Sequence, residues 1–276
     1  VSAQKTNIVK HYVLTRFNLE PGDRINANLP FKGLDLSWLN HRFDLFEKYT
    51  VPSVFNQTNT NFCWLIFYHS NTPKAFQNRL LRIQENASCD VRIVSAQRND
   101  VKTFLDQIKD GLKPNDMLVT SRIDNDDIIH PSFIQEVQDQ ASKATDMPQV
   151  VNFMTGYFYE TQQKVLRLLM YYPNNPYQSM VELFHENLLT VMGYNHNQIP
   201  ANVRVNNITT NEGMFITMVH EDNLLNRAYG KPIYKKVWMK NINLNLGKYI
   251  LAYGKWFLQR VYSIIQHNLF RNEKSV

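Results

Sequence analysis

The run Met117-Leu-Val-Thr-Ser-Arg-Ile123 passes without a break into Asp124-Asn-Asp-Asp127, and this junction limits what the chain can fold into. A short stretch of mostly apolar and β-branched residues reads as a buried strand. Pro131 stands where a helix would start, with Phe133, Ile134 and Val137 behind it at helical spacing. Acids at the carboxyl end of a buried strand sit where open α/β sheets bind ligands. Asp124 and Asp126 are two apart and point to one side of an extended backbone, while Asp127 points elsewhere or turns back through the bend. Carboxylates this close raise one another's pKa. A divalent cation relieves that, and oxygen ligands suit Mg²⁺ or Mn²⁺. A solvated acidic turn capping the next helix accounts for Asp127 alone; metal or sugar-nucleotide binding accounts better for all three. A calcium loop is not the pattern: counting from Asp124, Ile128 stands at position five, no Gly at position six and Gln135 at position twelve.

Upstream, Ile8 to Thr15 alternates weakly and reads as a first strand, ending in Thr15-Arg16-Phe17-Asn18. An Arg at a strand's carboxyl end suits a diphosphate or a base, with a surface salt bridge as the equal alternative. Residues 18–36, with Pro21-Gly22 and Pro30, have the length of a lid. Trp38, Leu39, Phe43, Phe46 and Tyr49 have helical spacing behind Ser37 as N-cap. A strand over Phe62–Tyr68, a helix from Thr72-Pro73 to about Gln84, a strand over Val91–Val94 and a helix over 99–109 follow. This alternation predicts a mainly parallel sheet covered on both faces. After residue 148, Val150–Phe153, Gly156–Glu160 and Val165–Tyr172 read as short antiparallel strands. Tyr177–Phe184 and Thr190–Tyr194 are harder to assign. The Asn-rich stretch 195–211 reads as loop, and Met214–Val219 as an apolar segment running into His220-Glu-Asp-Asn223.

At 276 residues, 43% hydrophobic and 20% charged, the chain suits one large globular domain with an appendage. We place the domain at 1–235, divided near residue 145, and an extension at 236–276. Cys63 and Cys89 make neither a disulfide framework nor a zinc signature. No apolar run reaches the length of a membrane span, and Val1–Lys10 has no apolar leader core, so a reducing cytoplasm is expected and the sequons at Asn56, Asn86 and Asn207 read as chance. A net charge of +6 and a pI of about 9.1 admit nucleic acid, anionic lipid or a phosphorylated ligand. The tail, Leu246 to Phe270, is a basic amphipathic helix rich in aromatics. Packing on the domain to close the core is its expected use; peripheral contact with an anionic inner membrane through 246–270 is the alternative.

An acidic cluster after a buried strand in an α/β half, followed by a more antiparallel half, resembles the GT-A fold glycosyltransferases. The match narrows with His11-Tyr-Val-Leu-Thr-Arg-Phe-Asn18, Arg42-Phe-Asp-Leu-Phe-Glu47, Pro52-Ser53 with Gln57, and Phe62-Cys-Trp64. Together with Thr120-Ser-Arg-Ile-Asp-Asn-Asp-Asp127, Pro176-Tyr-Gln-Ser-Met-Val-Glu182, Thr190-Val191, His196 and Val219-His-Glu-Asp-Asn223, they resemble the bacterial putative rhamnosyltransferase family over roughly residues 10–225. Glu221 departs from that family, which tends to have Gly there. The tail lies outside the match.

The resemblance implies an α/β GT-A nucleotide-sugar-binding half and a metal-dependent sugar transfer from a nucleotide-diphosphate donor to a hydroxyl acceptor, a surface polysaccharide or glycolipid. It implies Asp124 on the donor and Asp126, with Asp127 or through water, on Mn²⁺ or Mg²⁺, with His220 as a third ligand. Arg122, on the face opposite Ile123, would brace the acids or the donor. Thr15, Arg16 and Phe17 would meet the nucleotide, although an aromatic after a strand is more often core. An inverting enzyme needs a base; Glu182 and Asp222 are the candidates. His196 is an acceptor-site or core residue. A transferase acting on modified phage DNA would use the Lys231/Lys235/Lys236/Lys240 cluster. A non-catalytic carbohydrate- or nucleic-acid-binding protein is opposed by the intact acids, and a nucleotidyltransferase by the absence of a Gly-rich phosphate loop.

Overall fold

The computed structural model describes residues 9–21, 31–109, 111–221 and 228–273, with side chains to residue 265. Four parallel strands form its first half: β1 (Val9–Arg16), β2 (Cys63–His69), β3 (Asp90–Ala96) and β4 (Met117–Arg122). They lie in the order β3-β2-β1-β4. Every residue of β4 is buried, as a strand covered on both faces requires. The helices between them are α1 (Leu36–Leu45), α2 (Val51–Phe55), α3 (Lys74–Glu85) and α4 (Val101–Ile108), with a π-helical turn at Phe46–Thr50 joining α1 to α2. The N-cap of α1 is Asp35, which accepts from the Ser37 and Trp38 amides, and not Ser37 as expected. A carboxylate there also suits the positive end of the helix dipole.

Beyond β4 come β5 (Ile128–Ile129), α5 (Phe133–Ser142) and seven further strands: β6 (Gln149–Phe153), β7 (Gly156–Glu160), β8 (Val165–Leu169), β9 (Ser179–Leu183), β10 (Arg204–Ile208), β11 (Phe215–Val219) and β12 (Lys231–Ile233). The large sheet continues past β4 as β9-β6-β10. β9 is antiparallel to both β4 and β6, and β10 is parallel to β6. A second sheet has the order β12-β8-β7-β11-β5. The structure is thus the mixed α/β arrangement expected. One strand corrects the sequence reading and another fills a stretch that it left unassigned. Stretch 195–211 contains β10, whose Asn206 and Asn207 mask a strand signal at a sheet edge. Tyr177–Phe184 contains β9, the strand that turns a parallel sheet into a mixed one. The expected antiparallel pieces separate as well: β7 and β8 pair antiparallel in the second sheet, whereas β6 joins the first.

One face of the large sheet packs Val13, Trp64, Ile66 and Val119 against Leu39, Phe43, Phe46, Leu80, Phe133 and Val137 of the helices. The other packs Leu14, Leu65, Phe67 and Leu118 against Phe104, Ile108 and the segment carrying Leu188, Val191 and Tyr194. Both faces of β1 and β4 are covered, so the ends of these strands are the open places on the sheet.

α6 (Leu246–Glu273) corrects the expectation for the tail. Only Tyr249, Ala252, Tyr253 and Trp256 of its apolar side chains up to residue 265 are half-buried. The helix therefore does not close the core. The lid expected over 18–36 falls partly on residues 22–30, outside the described residues. Its start is fixed by Asn18, which donates to Gly33 O and Thr72 Oγ1 and accepts from the His69 amide.

Candidate active site at the ends of β1 and β4

The three acids after β4 diverge. Asp124 stays partly exposed, 3.6 Å from Arg16 at the end of β1. Asp126 is buried; its Oδ2 accepts from Arg42 Nη1 on α1 at 2.9 Å and lies 2.9 Å from His220 Nε2 just past β11. Arg42 also donates to Asn125 Oδ1, and Asn125 Nδ2 donates to Phe17 O at 2.7 Å. This knot ties the acidic turn to α1 and to the end of β1. Burial opposes ionisation of Asp126, but the Arg42 charge and the contact with His220 outweigh it and hold the carboxyl below its ordinary value. Asp127 turns inward, and its Oδ1 accepts from the Met218 amide of β11 at 3.0 Å. Burial first, then the charges of Asp126 and Asp124, push the Asp127 carboxyl well above its ordinary value.

Two clusters result. The first is Asp126, Arg42 and His220, with the His41 ring 5.3 Å from that of His220. The second gathers around Arg16 and Asp124. Burial and then the neighbouring charge of Arg122 pull the Arg16 guanidinium below its ordinary value, while Asp124 acts the other way. Arg122 is 8% exposed, and its Nε has no hydrogen-bond partner among the described residues. The Tyr194 hydroxyl beside it is likewise buried without a partner. His196 feels Arg122, Asp124 and Arg16, and burial lowers its pKa. Its Nδ1 lies 2.6 Å from Asn174 O, so Nδ1 carries the proton and Nε2 is an acceptor. Two guanidiniums against one carboxylate leave this cluster with an excess positive charge, and buried donors without partners are costly unless a ligand meets them.

The other predicted residues lie deeper. Thr15 is fully buried, donating to Ile123 O and accepting from Trp64 Nε1, each at 2.9 Å. The Phe17 ring packs in the core, 4.3 Å from Phe43 and 5.1 Å from Phe46. Both Glu182 oxygens accept loop amides, from Leu189 and Thr190, at 2.8 Å. Burial raises its pKa against the pull of those amides. The loop needs this anchor, because Thr190 is a β-branched residue at φ 49°. Glu182 thereby positions the segment that carries Tyr194 and His196. Asp222 lies outside the described residues.

Arg42 is the residue that sequence reasoning missed, although it stands in a stretch quoted for the resemblance. The signal was an Arg between Leu39 and Phe43, residues that are fully buried; an Arg is seldom placed there without a partner.

Among the described residues, no group of three or more His, Cys, Asp or Glu side chains converges as a metal site. Two do approach: Asp126 Oδ2 and His220 Nε2 at 2.9 Å. Neighbouring ligands of one octahedral cation stand about 3 Å apart, given bonds of about 2.1 Å. Arg42 Nη1 lies 2.9 Å from the Asp126 oxygen and 3.1 Å from the His220 nitrogen, so an ion held by the pair takes the place of that guanidinium and draws its remaining ligands from water and substrate, as Mg²⁺ commonly does. Beside His220 opens a cleft of about 320 Å³, lined among others by His41, Asp44, Lys48, Tyr159 and Lys164.

No curated protein matches the sequence. Among solved structures, that of S. aureus TarS residues 1–349 is similar at 9% identity and a TM-score of 0.44, over 76% of this chain and 60% of that one. The same values hold for its complex with UDP. S. aureus TarS itself gives 10% identity and a TM-score of 0.42, over 76% and 37%. The chain thus spans less than two thirds of the length of these neighbours. A family model described as "Putative rhamnosyl transferase" matches residues 33–232, most of the chain, and the chain belongs to that family.

Proposed function

We propose that the protein is a glycosyltransferase that takes a sugar from a nucleotide-diphosphate donor and passes it to a hydroxyl acceptor. The observation that carries this is the pair of clusters at the ends of β1 and β4. One holds partnerless buried donors beside two arginines; the other holds a carboxylate and an imidazole 2.9 Å apart.

In this reading Arg16 and Arg122 bind the donor's diphosphate, and Asp124 accepts from a ribose or sugar hydroxyl. Guanidiniums suit this work because their planar forks match phosphate oxygens. Asp126 and His220 would hold Mn²⁺ or Mg²⁺, which when bound supplies Lewis-acid stabilisation of the departing diphosphate. Arg42 keeps Asp126 ionised, the protonation state that a ligand needs. The acceptor hydroxyl enters from the cleft beside His220, and a surface polysaccharide or glycolipid is the acceptor class proposed. Asp127 has an inward role, holding β11 and so the position of His220.

The test is a panel of sugar nucleotides with Mn²⁺, read by thermal shift and by donor hydrolysis, on wild type, Asp126→Asn and Arg122→Gln. One donor is expected to stabilise the wild type. Asp126→Asn should abolish hydrolysis, and Arg122→Gln should weaken donor binding about tenfold or more, the loss of one charge-assisted contact of about 1.5–3 kcal/mol. A folded wild type that responds to no donor, with or without metal, would overturn the reading.

A further inference from the structure

The outer face of α6 is an apolar surface that the proposed chemistry leaves unused. Leu246, Ile250, Leu251, Phe257, Leu258, Val261, Tyr262, Ile264 and Ile265 are all exposed, most by more than half. At 100° per residue they fall within an arc of about 160°. The residues that touch the body lie on the opposite side. The Tyr249 ring lies tilted against that of Tyr234 at 5.5 Å, Tyr253 and Trp256 continue the row, and Lys231 Nζ stands 5.9 Å over the Trp256 ring. The helix is thus fastened by one face near its start. From Phe257 to Ile265 every residue is exposed.

The borders of the apolar arc are basic. Lys248 and Lys255 lie just beyond Tyr262 on one side, and Arg260 lies just before Leu246 on the other. Residues 246–265 contain no Asp or Glu. Exposed Lys231 adds a charge beside Trp256, and the whole chain carries +6. A wide apolar arc with cationic edges is the pattern of a helix that lies in the interface plane of an anionic bilayer, its apolar side among the acyl chains and its cations among the headgroups. A second copy of the chain seated on this face would bring its three cations against three more. Among the described residues no helix is long and apolar enough to cross a membrane, which fits lying on the surface and not spanning it. Residues 246–276 also lie outside the stretch matched by the family model.

We propose that α6 is a membrane-surface anchor that seats the protein on anionic lipid through Leu246–Ile265. The inference stands whether or not the sugar-transfer reading holds.

The test is sedimentation of the full chain with vesicles of phosphatidylcholine alone and of phosphatidylcholine with phosphatidylglycerol. Wild type is compared with a Phe257→Glu/Ile264→Glu variant, whose altered side chains are both more than half exposed. Wild type should pellet with the anionic vesicles at least about tenfold more strongly than with the neutral ones, and ~0.5 M salt should release much of it. The variant should lose at least about tenfold in vesicle binding with an unchanged melting temperature. Equal binding of wild type and variant, or no preference for anionic lipid, would overturn the proposal. So would a wild type that ignores vesicles but is a dimer by light scattering, with the variant monomeric. That outcome would assign the face to a second copy.

Discussion

Arg42 holds two acceptors at once, Asp126 Oδ2 at 2.9 Å and Asn125 Oδ1, and its side chain and that of Asp126 are only 13% and 5% exposed. Removing one member of a buried ion pair strands the other, which costs about 3–5 kcal/mol, whereas removing both charges costs far less. Arg42→Ala should therefore lower unfolding stability by about 3 kcal/mol, and Arg42→Ala combined with Asp126→Asn should recover much of that. Urea denaturation of the two single variants and the double variant closes the cycle. Additive losses would mean that the two side chains do not share one interaction. At this scale the site was half legible. Asp124, Asp126 and Asp127 could be picked out because acids after a buried strand are seldom placed by chance, and His220 entered only through the family resemblance. Arg42 could not be paired with Asp126, because a contact across 84 residues depends on how α1 lies over the sheet. Thr15 and Phe17 are buried, Phe17 in the core that its position after a strand already favoured. Standing at a strand end does not open a side chain to ligand when the neighbouring helix covers it with Phe43 and Phe46.

β1, β4 and β9 are joined by a buried polar chain: His11 Nε2 lies 2.8 Å from Ser121 Oγ, which lies 2.6 Å from Ser179 Oγ. Burial lowers the His11 pKa from 6.5 to about 3. The unfolded chain takes up this proton near pH 6.5 and the folded chain only near 3, so between those values the unfolded state binds more protons. The stability contributed by neutral His11 is full above pH 6.5 and is lost as pH falls through that window. From pH 6.5 to pH 5 this one group should remove about 2 kcal/mol, at 1.36 kcal/mol per unit. Urea midpoints at pH 7 and pH 5 should differ less in His11→Asn than in wild type. An unchanged difference would mean that His11 is not the group that titrates. Element by element, the parallel strands β1 to β4 were readable because strands covered on both faces are continuous apolar runs. β10 and β12 were not, since Asn206, Asn207 and Pro232 are poor strand formers tolerated at sheet edges.

At the scale of the molecule, two sheets share the work of building one site. The large sheet supplies Arg16, Arg122 and Asp124, and the second sheet brings His220 to Asp126 through β11, which β5 and Asp127 hold in place. α6 takes no part in that construction. The last contacts that tie the chain to the second sheet before it are the Asn243 carbonyl, accepting from the Tyr159 hydroxyl at 2.8 Å, and the Asn245 amide, donating to Lys164 O at 3.0 Å. Beyond them the helix buries only part of Tyr249, Ala252, Tyr253 and Trp256, and losing such half-buried area costs about 1–3 kcal/mol against the stability of a whole domain. A chain ending at residue 245 should therefore fold, with a melting temperature only a few degrees lower. It should keep whatever donor response the full chain shows, because Asp126, His220 and Arg122 are untouched. Circular dichroism melts and donor thermal shifts on the two lengths check this. Loss of the cooperative melt would mean that α6 belongs to the core after all; a normal melt with the donor response gone would mean that the helix reaches the site.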